Sequence, residues 1–562
     1  MNQLRPMLLI ALFFVAYLLW QAWDQDYSPH PVSSATTSQV ASDNSNAASA
    51  ATPTIANTGA ESAATTAQLI TVTTDVLRLT IDTRGGSIVR SELLDYPVTP
   101  RTKKDPDPAP IRLLDDSASD YFAAQSGLVS ADSAAPDHRA VFQAAQTSYT
   151  LADGQDALNI DLTWSDPSGI KVVKRYTLHR GSYVIDLDQQ IDNGSGKPWD
   201  GNAYRQLQRV DRPVPVYNNF LQRMSDQSRY GFFGAVWYNP DQKFNKLAYD
   251  KFAKEPLQNQ STGGWVGMMQ NYFLGAWIPP AKESDTFSSA IVDNTGGAPH
   301  YVIRAVSPQI SVAPGQQASS AAQLYVGPKL PDVLQTVAPG LELTIDYGML
   351  KIFAEPLHWV LAQLDKITHN WGVSIVLLVL LINLVTFKFT NAQFESAAKM
   401  RRLKPRMDAL KERYGDDRQK MQQAMMDLYK KEKVNPAAGC LPLLITIPIF
   451  YGLYYVLRDS VELRQAPFFG WIHDLSAADP YYVLPVLYTI VMLVQQWLMP
   501  PAAGMDPTQQ KMMKFMPIMF AFIFLFFPSG LVLYYVVNGV CRLLQQWWMM
   551  RRHDSAPAKA AA

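Results

Sequence analysis

This sequence predicts a multi-domain protein. An α-helical, polytopic membrane core with six transmembrane helices in total carries a large all-β sandwich domain on one side and a helical hairpin on the other. Three observations predict it. Six runs of apolar residues carry basic flanks; residues 68–350 alternate apolar and polar side chains; and charge changes sign between regions. Asp24 to Leu350 holds 25 basic and 34 acidic residues, a balance of −9, whereas the rest holds 24 and 15, a balance of +9. The whole-chain values, 562 residues with 49 Lys plus Arg against 49 Asp plus Glu and a mean hydropathy of −0.08, average over these opposites. They exclude a highly basic nucleic-acid binder and an acidic disordered chain. With only Cys440 and Cys541, both in apolar runs, a small disulfide-stapled domain is excluded too.

Residues 1–23 are expected to be an uncleaved anchor. Met7 to Trp20 is continuously apolar and no small-x-small cleavage site follows it. Arg5 before the run and Asp24 and Asp26 after it place the N-terminus in the cytoplasm. Residues 24–67 follow as a flexible tether: from Ser28 to Ala67, 26 of 40 residues are Ala, Ser or Thr, and none is Lys or Arg. Such a composition cannot bury enough apolar surface to fold.

Residues 68–350 read as the sandwich. Leu158–Trp164 and Tyr183–Ile191 alternate with period 2, and Asp82–Gly86, Asp192–Gly196 and Asp293–Gly297 are turn signals. Its histidines, His138, His179 and His300, stand in no catalytic or metal-ligand spacing, and scattered histidines in β-domains are usually structural. Catalysis is therefore not expected. Trp237, Tyr238, Trp265 and Tyr272 are expected to pack in the core rather than line a groove.

Residues 351–371 are expected to form an interfacial amphipathic helix, and residues 372–390 the second transmembrane helix. Residues 391–433 are charged, with Leu403, Met407, Leu410 and Tyr414, then Met421, Met425 and Leu428, at helical spacing. Gly415 can end one helix and Asp416 or Asp417 can cap the next, giving a basic hairpin. Residues 434–550 hold helices three to six, on the runs Ala437–Leu457, Tyr481–Met499, Met512–Phe527 and Leu531–Met550. Residues 551–562 are the tail. Thirteen basic and seven acidic residues lie from Lys388 to Lys433, against two and four from Arg458 to Asp479. With both termini cytoplasmic, the basic clusters fall inside and the sandwich outside.

Polar residues inside spans are costly and therefore informative. Asn383, Thr386 and Thr390 form one stripe, and Asn538, Arg542 and Gln545 another; Thr446, Gln495 and Gln496 add to them. Asn383 and Arg542 fall at similar depth, on the order of 16–20 Å from the outer end at 1.5 Å per residue. A shared wet cavity is expected from Asn383, Thr386, Thr446, Gln495, Asn538 and Arg542. The alternatives are hydrogen bonding between helices and, for Arg542, snorkelling to the inner interface. Pro442, Pro448 and Pro517, with Leu441, Ile447, Phe515 and Met516, give the third and fifth spans a pliable greasy surface.

The strings KVNPAAGCLPLLITIPIFYGLYYVL, SVELRQAPFFGWIHDLSAADPYYVLPVL and FMPIMFAFIFLFFPSGLVLYYVVNG resemble the YidC-type membrane protein insertases, over about Asn370 to Trp548. The anchor, tether and β-domain resemble the long form of Gram-negative inner membranes. The resemblance implies a periplasmic sandwich and a five-helix core enclosing a hydrophilic groove, open to cytoplasm and bilayer but closed to the periplasm. It implies substrate contacts at Leu441, Pro442, Ile447, Pro448, Phe515 and Met516. The implied partners are nascent membrane proteins, the Sec translocon, membrane lipids, and the ribosome through the basic hairpin and tail. No cofactor or metal is implied, and no phosphate-binding G-x-x-x-x-G-K-[ST] run occurs. In that family an arginine of the second span marks the groove. Here that position is Asn383, and a proline five residues on is Lys388. The family commonly has an uncharged residue where Arg542 stands, so Arg542 is expected to supply the groove's charge. Other readings of the pattern are a secondary transporter or channel, disfavoured by the lack of inverted repeats and of deep acidic residues, and a tethered carbohydrate-active domain, disfavoured by the missing catalytic pair.

Overall fold

The computed structural model describes residues 67–101, 105–212, 231–292, 297–415, 417–432, 441–498 and 507–554. The expected anchor, nearly all of the tether, residues 293–296 of the Asp293–Gly297 turn, Asp416 and most of the tail lie outside the described residues.

Residues 69–328 fold into two stacked, almost wholly antiparallel sheets. The eleven-stranded sheet runs from Gln258–Thr262 through Ser284–Val292, His300–Val306, Trp199–Val210, Phe122–Val129 and Ser87–Pro97 to Leu77–Asp82, Leu69–Thr73 and Ser148–Thr150. The nine-stranded sheet runs from Lys243–Ala248 through Gly234–Asn239, Trp265–Met269, Phe273–Ile278 and Gln317–Pro328 to Val184–Asn193, Ile170–His179, Ala157–Ser165 and Gln143–Ala144. Alternation puts every second side chain between the sheets. In Val184–Asn193, for example, Ile185, Leu187 and Ile191 are buried. Trp199, Trp265 and Trp277 are wholly buried and dominate this core. Turn chemistry follows the sequence: in Asp192–Gly196, Asn193 Oδ1 accepts from Ser195 N at 3.0 Å, and its Nδ2 donates to Lys197 O at 2.8 Å.

The chain then becomes helical: α1 (Pro331–Val337), α2 (Lys351–Thr368), α3 (Trp371–Tyr414), α4 (Arg418–Lys431), α5 (Leu441–Asp459), α6 (Val483–Leu498), α7 (Pro507–Phe524) and α8 (Ser529–Asp554). Helix α2 is amphipathic, with Ala354, His358 and Leu361 buried and Ile352, Trp359 and Ile367 exposed. It stops at His369 in the left-handed region (φ 51°), and Asn370 then caps α3, its Oδ1 accepting from Val373 N at 3.0 Å. Helix α3 runs on without a break into the charged segment. Gly415 ends it in a right-handed conformation rather than the left-handed one usual at such a stop. Asp417 caps α4, accepting from Gln419 N and Lys420 N. Leu403 and Met407 of α3 are buried against Met425, Leu428 and Tyr429 of α4, which closes the helical hairpin.

Among the described residues one segment, Trp371–Asn391, is long and apolar enough to cross a membrane, with a mean hydropathy of 2.3. Val483–Leu498 and Phe515–Phe524 are shorter apolar helices. The described parts of the four remaining expected runs of the C-terminal half fall largely on α5, α6, α7 and α8, residues 437–440 and Met499 lying outside the described residues.

Candidate functional site

Helices α3 and α8 lie against each other, and their polar stripes meet. Asn383 Nδ2 donates to Asn538 Oδ1 at 3.0 Å and to Val379 O of its own helix at 2.8 Å. Two turns further along, Gln545 Nε2 donates to Asn391 Oδ1 at 2.6 Å and to Phe387 O at 3.2 Å. Helix α6 joins from the other side, where Gln495 Nε2 donates to Gly539 O at 3.0 Å. A Cβ at Gly539 would collide with Val491, so only glycine admits α6 this close. Three of the expected groove residues, Asn383, Gln495 and Asn538, therefore converge on one level of α8.

The other expected residues are placed differently. Thr386 and Thr390 turn their hydroxyls back on their own helix, to Ile382 O at 2.8 Å and Thr386 O at 3.0 Å. Arg542, one turn beyond Asn538, is half-buried and close enough to Tyr488 and Tyr534 to interact with them electrostatically. Lys388 is exposed. The side chains of Thr446, Leu441 and Pro442 lie outside the described residues. Ile447 on α5 and Phe515 and Met516 on α7 are exposed, at 41%, 66% and 45%, and Pro448 is half-buried. These apolar positions sit on two separate helices. Asn383, Thr386, Gln495, Asn538 and Arg542 are all partly accessible, whereas Leu384, Val385, Trp497 and Leu544 beside them are exposed apolar side chains suited to lipid.

Towards the other end of the bundle the polar level gives way to rings. Phe450 of α5, Tyr488 of α6, Phe524 of α7 and Tyr535 of α8 pack tilted and edge to face, with centroids 4.7–5.3 Å apart for Phe450–Tyr535, Tyr488–Phe524, Tyr488–Tyr535 and Phe524–Tyr535. This layer was not expected from the sequence. Its signal was an aromatic residue in each of four separate apolar runs, Phe450, Tyr488, Phe524 and Tyr535.

The sandwich holds polar groups of another kind. His138 Nδ1 lies 2.6 Å from Tyr204 Oη, and burial pushes its pKa down to about 4. His300 Nδ1 lies 2.7 Å from Gln208 Nε2, and His179 is an exposed partner of Asp186. These are structural pairs. Trp237 and Trp265 are buried and Tyr238 and Tyr272 pack against the core. Unforeseen was Lys174, wholly buried between the sheets. Its Nζ donates to Gly85 O, Ser126 O and Ser126 Oγ at 2.6–3.0 Å, and burial lowers its pKa to about 7. Among the described residues no group of three or more His, Cys, Asp or Glu could hold a metal ion.

Comparison with known proteins covers the whole chain. The family described as the YidC periplasmic domain matches residues 69–360, and the family described as 60Kd inner membrane protein matches residues 363–556. The chain is 42% identical to the membrane protein insertase YidC of Thioalkalivibrio sulfidiphilus over 575 residues, and 43% identical to that of Methylococcus capsulatus over 571, all of both chains being covered in each case. It is 43% identical to the Stenotrophomonas maltophilia protein of the same name, covering all of this chain and 98% of the other. Among solved structures, an active YidC insertase with its first transmembrane domain resolved is similar at 18% identity and a TM-score of 0.36, covering 86% of this chain and 92% of that one.

Proposed function

Because the chain belongs to the YidC family of membrane protein insertases, we propose that it inserts nascent inner-membrane proteins and helps them fold, passing them along a hydrophilic groove framed by α3, α6 and α8. The observation that carries this reading is the meeting of Asn383, Gln495 and Asn538 from three helices at one level of the bundle. Polar groups at that depth shorten the distance a hydrophilic flank must travel through hydrocarbon. The apolar segment then leaves along Ile447, Pro448, Phe515 and Met516, with Leu441 and Pro442 completing the slide. Its transfer to lipid releases about 0.8 kcal/mol per CH₂.

The same reading assigns five core spans to α3 and α5–α8, with a sixth at residues 1–23, both termini in the cytoplasm and the α3–α4 hairpin inside. Helix α2 lies in the interface with Ile352, Trp359 and Ile367 towards lipid. Substrates arrive from the Sec translocon or directly from a ribosome held by the basic hairpin and tail. Arg542 supplies the positive charge, one turn inside the Asn383–Asn538 contact, with Thr386 and Thr446 lining the same cavity. No nucleotide, metal or other cofactor enters the mechanism.

Photo-crosslinking from Ile447 and Phe515 to a short nascent membrane protein tests the reading. Adducts are expected at both positions, and their absence at both sinks it. The charge assignment has its own test: Arg542→Ala should slow insertion more than Lys388→Ala, and the reverse order removes Arg542 from its role.

A further inference from the structure

The segment between α5 and α6, residues 460–482, contains little regular structure, yet Val461, Leu463, Ala466, Ile472 and Leu475 are buried. It reaches the ends of three helices. Phe468 packs on Gly372 at the start of α3, so closely that a Cβ there would collide with the ring. At the α7–α8 turn, Ser529 N donates to Ala477 O at 2.7 Å, Gly530 N to Leu475 O at 2.9 Å, and Ser529 Oγ to Asp474 O at 2.7 Å. Ala478 and Pro528 form an antiparallel bridge.

One carboxylate organises this segment. Asp479, 1% exposed, accepts from Trp471 Nε1 at 3.0 Å and from Tyr481 N at 3.0 Å on Oδ1, and from Leu484 N at 2.8 Å on Oδ2. It thereby ties the middle of the loop to the first turn of α6. Gln465 and Tyr482, near the two ends of the segment, both hold left-handed backbone (φ 58° and 57°), a conformation that side chains other than glycine keep only when their surroundings enforce it. Beneath the loop lies the layer of Phe450, Tyr488, Phe524 and Tyr535, and beyond that the polar level of Asn383 and Asn538.

We propose that Asp479 is the latch that holds residues 460–482 fixed over the end of the groove that the family resemblance implies is closed, and that ions cross when this latch is broken while the other end of the groove is wet. The proposal rests on the groove reading above. Both oxygens of the latch face N–H donors, so an amide in its place sets an NH₂ against one of them. Asp479 is a positioning residue that pins the outer ends of α6 and the α7–α8 turn while their inner ends meet substrate.

The test is passive ion leak through the full chain reconstituted in sealed vesicles, read as the decay of an imposed proton gradient by an enclosed pH-sensitive dye, with no substrate present. Wild type should leak as slowly as protein-free vesicles. Asp479→Asn and Asp479→Ala should leak several-fold faster, and Trp471→Phe, which removes one donor and keeps the ring, should also leak faster. In a background free of Cys440 and Cys541, adding Ala478→Cys and Pro528→Cys to Asp479→Ala should restore tightness on oxidation and lose it on reduction. A wild-type leak rate in folded Asp479→Ala overturns the latch. Should that variant not fold, an unchanged rate in Trp471→Phe overturns it equally. Missing crosslinks at Ile447 and Phe515 would sink the insertase reading without moving the leak, and an unchanged leak would sink the latch without moving the crosslinks.

Discussion

Single side chains decide two separate questions in this protein. At the level of Asn383 and Asn538 the question is where positive charge sits. The Asn383–Asn538 contact is neutral, and Arg542 lies one turn away on the same helix as Asn538. If charge at that depth is what matters and not its helix of origin, Asn383→Arg should recover most of the insertion rate lost in Arg542→Ala. An unrescued double variant, assayed by in vitro insertion, would tie the role to α8 itself. Asn383→Leu should cost on the order of 1 kcal/mol of helix–helix stability, the size typical of such contacts in membranes, read as a lowered midpoint in a detergent unfolding titration. In the sandwich the question is pH. Lys174 is depressed to about 7 in the folded state, so between pH 7 and its unfolded value near 10.5 the unfolded chain binds the extra proton. Stability from this residue therefore rises with pH across that window. The difference in Tm between wild type and Lys174→Met should move in favour of wild type from pH 7 to pH 9.5. A flat difference would mean that Lys174 keeps an ordinary pKa despite its burial.

At the level of elements, the α3–α4 hairpin is a small autonomous contact: Leu403 and Met407 against Met425, Leu428 and Tyr429, with Arg406 Nη1 2.6 Å from Glu432 Oε1 at its rim. The exposed ion pair contributes little, so the apolar seam carries the hairpin. Truncating Met407 to alanine should weaken it by about 2–4 kcal/mol, within the range for buried Leu or Met. Hydrogen exchange should then quicken in α4 while amides of residues 372–390 stay protected; equal quickening in both would show that hairpin and span unfold together. This seam was legible in the sequence because period 3.6 shows directly which residues share a helix face. The alternating strands Ala157–Ser165 and Val184–Asn193 were legible for the same reason, with period 2. The Asn383–Asn538 pairing was half legible: each stripe could be read, but not that the two would bond to each other, since register between helices is set by contacts distant in sequence. The sites of Lys174 and Asp479 were not legible. A lysine inside a strand looks like a solvent-facing residue until the second sheet covers it, and Asp479 in an acidic loop looks like a marker of topology until Trp471 and the start of α6 close around it.

For the molecule as a whole, the zero net charge is the sum of Asp24–Leu350, tether and sandwich together, at −9 and a remainder at +9, and the sandwich meets the helical part at the loop of residues 460–482. Arg464 Nη2 donates to Val98 O at 3.2 Å, and Gln465 Nε2 to Pro97 O at 3.0 Å and Val98 O at 3.1 Å. Tyr272 Oη, in the turn between the neighbouring strands Trp265–Met269 and Phe273–Ile278 of the nine-stranded sheet, donates to Arg458 O at 3.2 Å. Every acceptor here is a backbone carbonyl, so the joint grips chain geometry and is indifferent to the side chains at residues 97, 98 and 458. Two of the donor side chains, Arg464 and Gln465, stand next to each other in the loop and make none of the hydrogen bonds to Asp479. It follows that loosening the joint should free the sandwich without opening the seal. With spin labels at Lys171→Cys and Lys366→Cys in a cysteine-free background, the full chain should give a narrow distance distribution, and Arg464→Ala with Gln465→Ala should broaden it. The same double variant should keep the wild-type proton leak, because Asp479, Trp471 and Leu484 are untouched. A distribution that stays narrow would place the hold on the sandwich elsewhere, at Tyr272 or at the Lys246–Asp346 ion pair. A leak that rises with it would make joint and latch one device, with the sandwich serving as the clamp that keeps the groove shut.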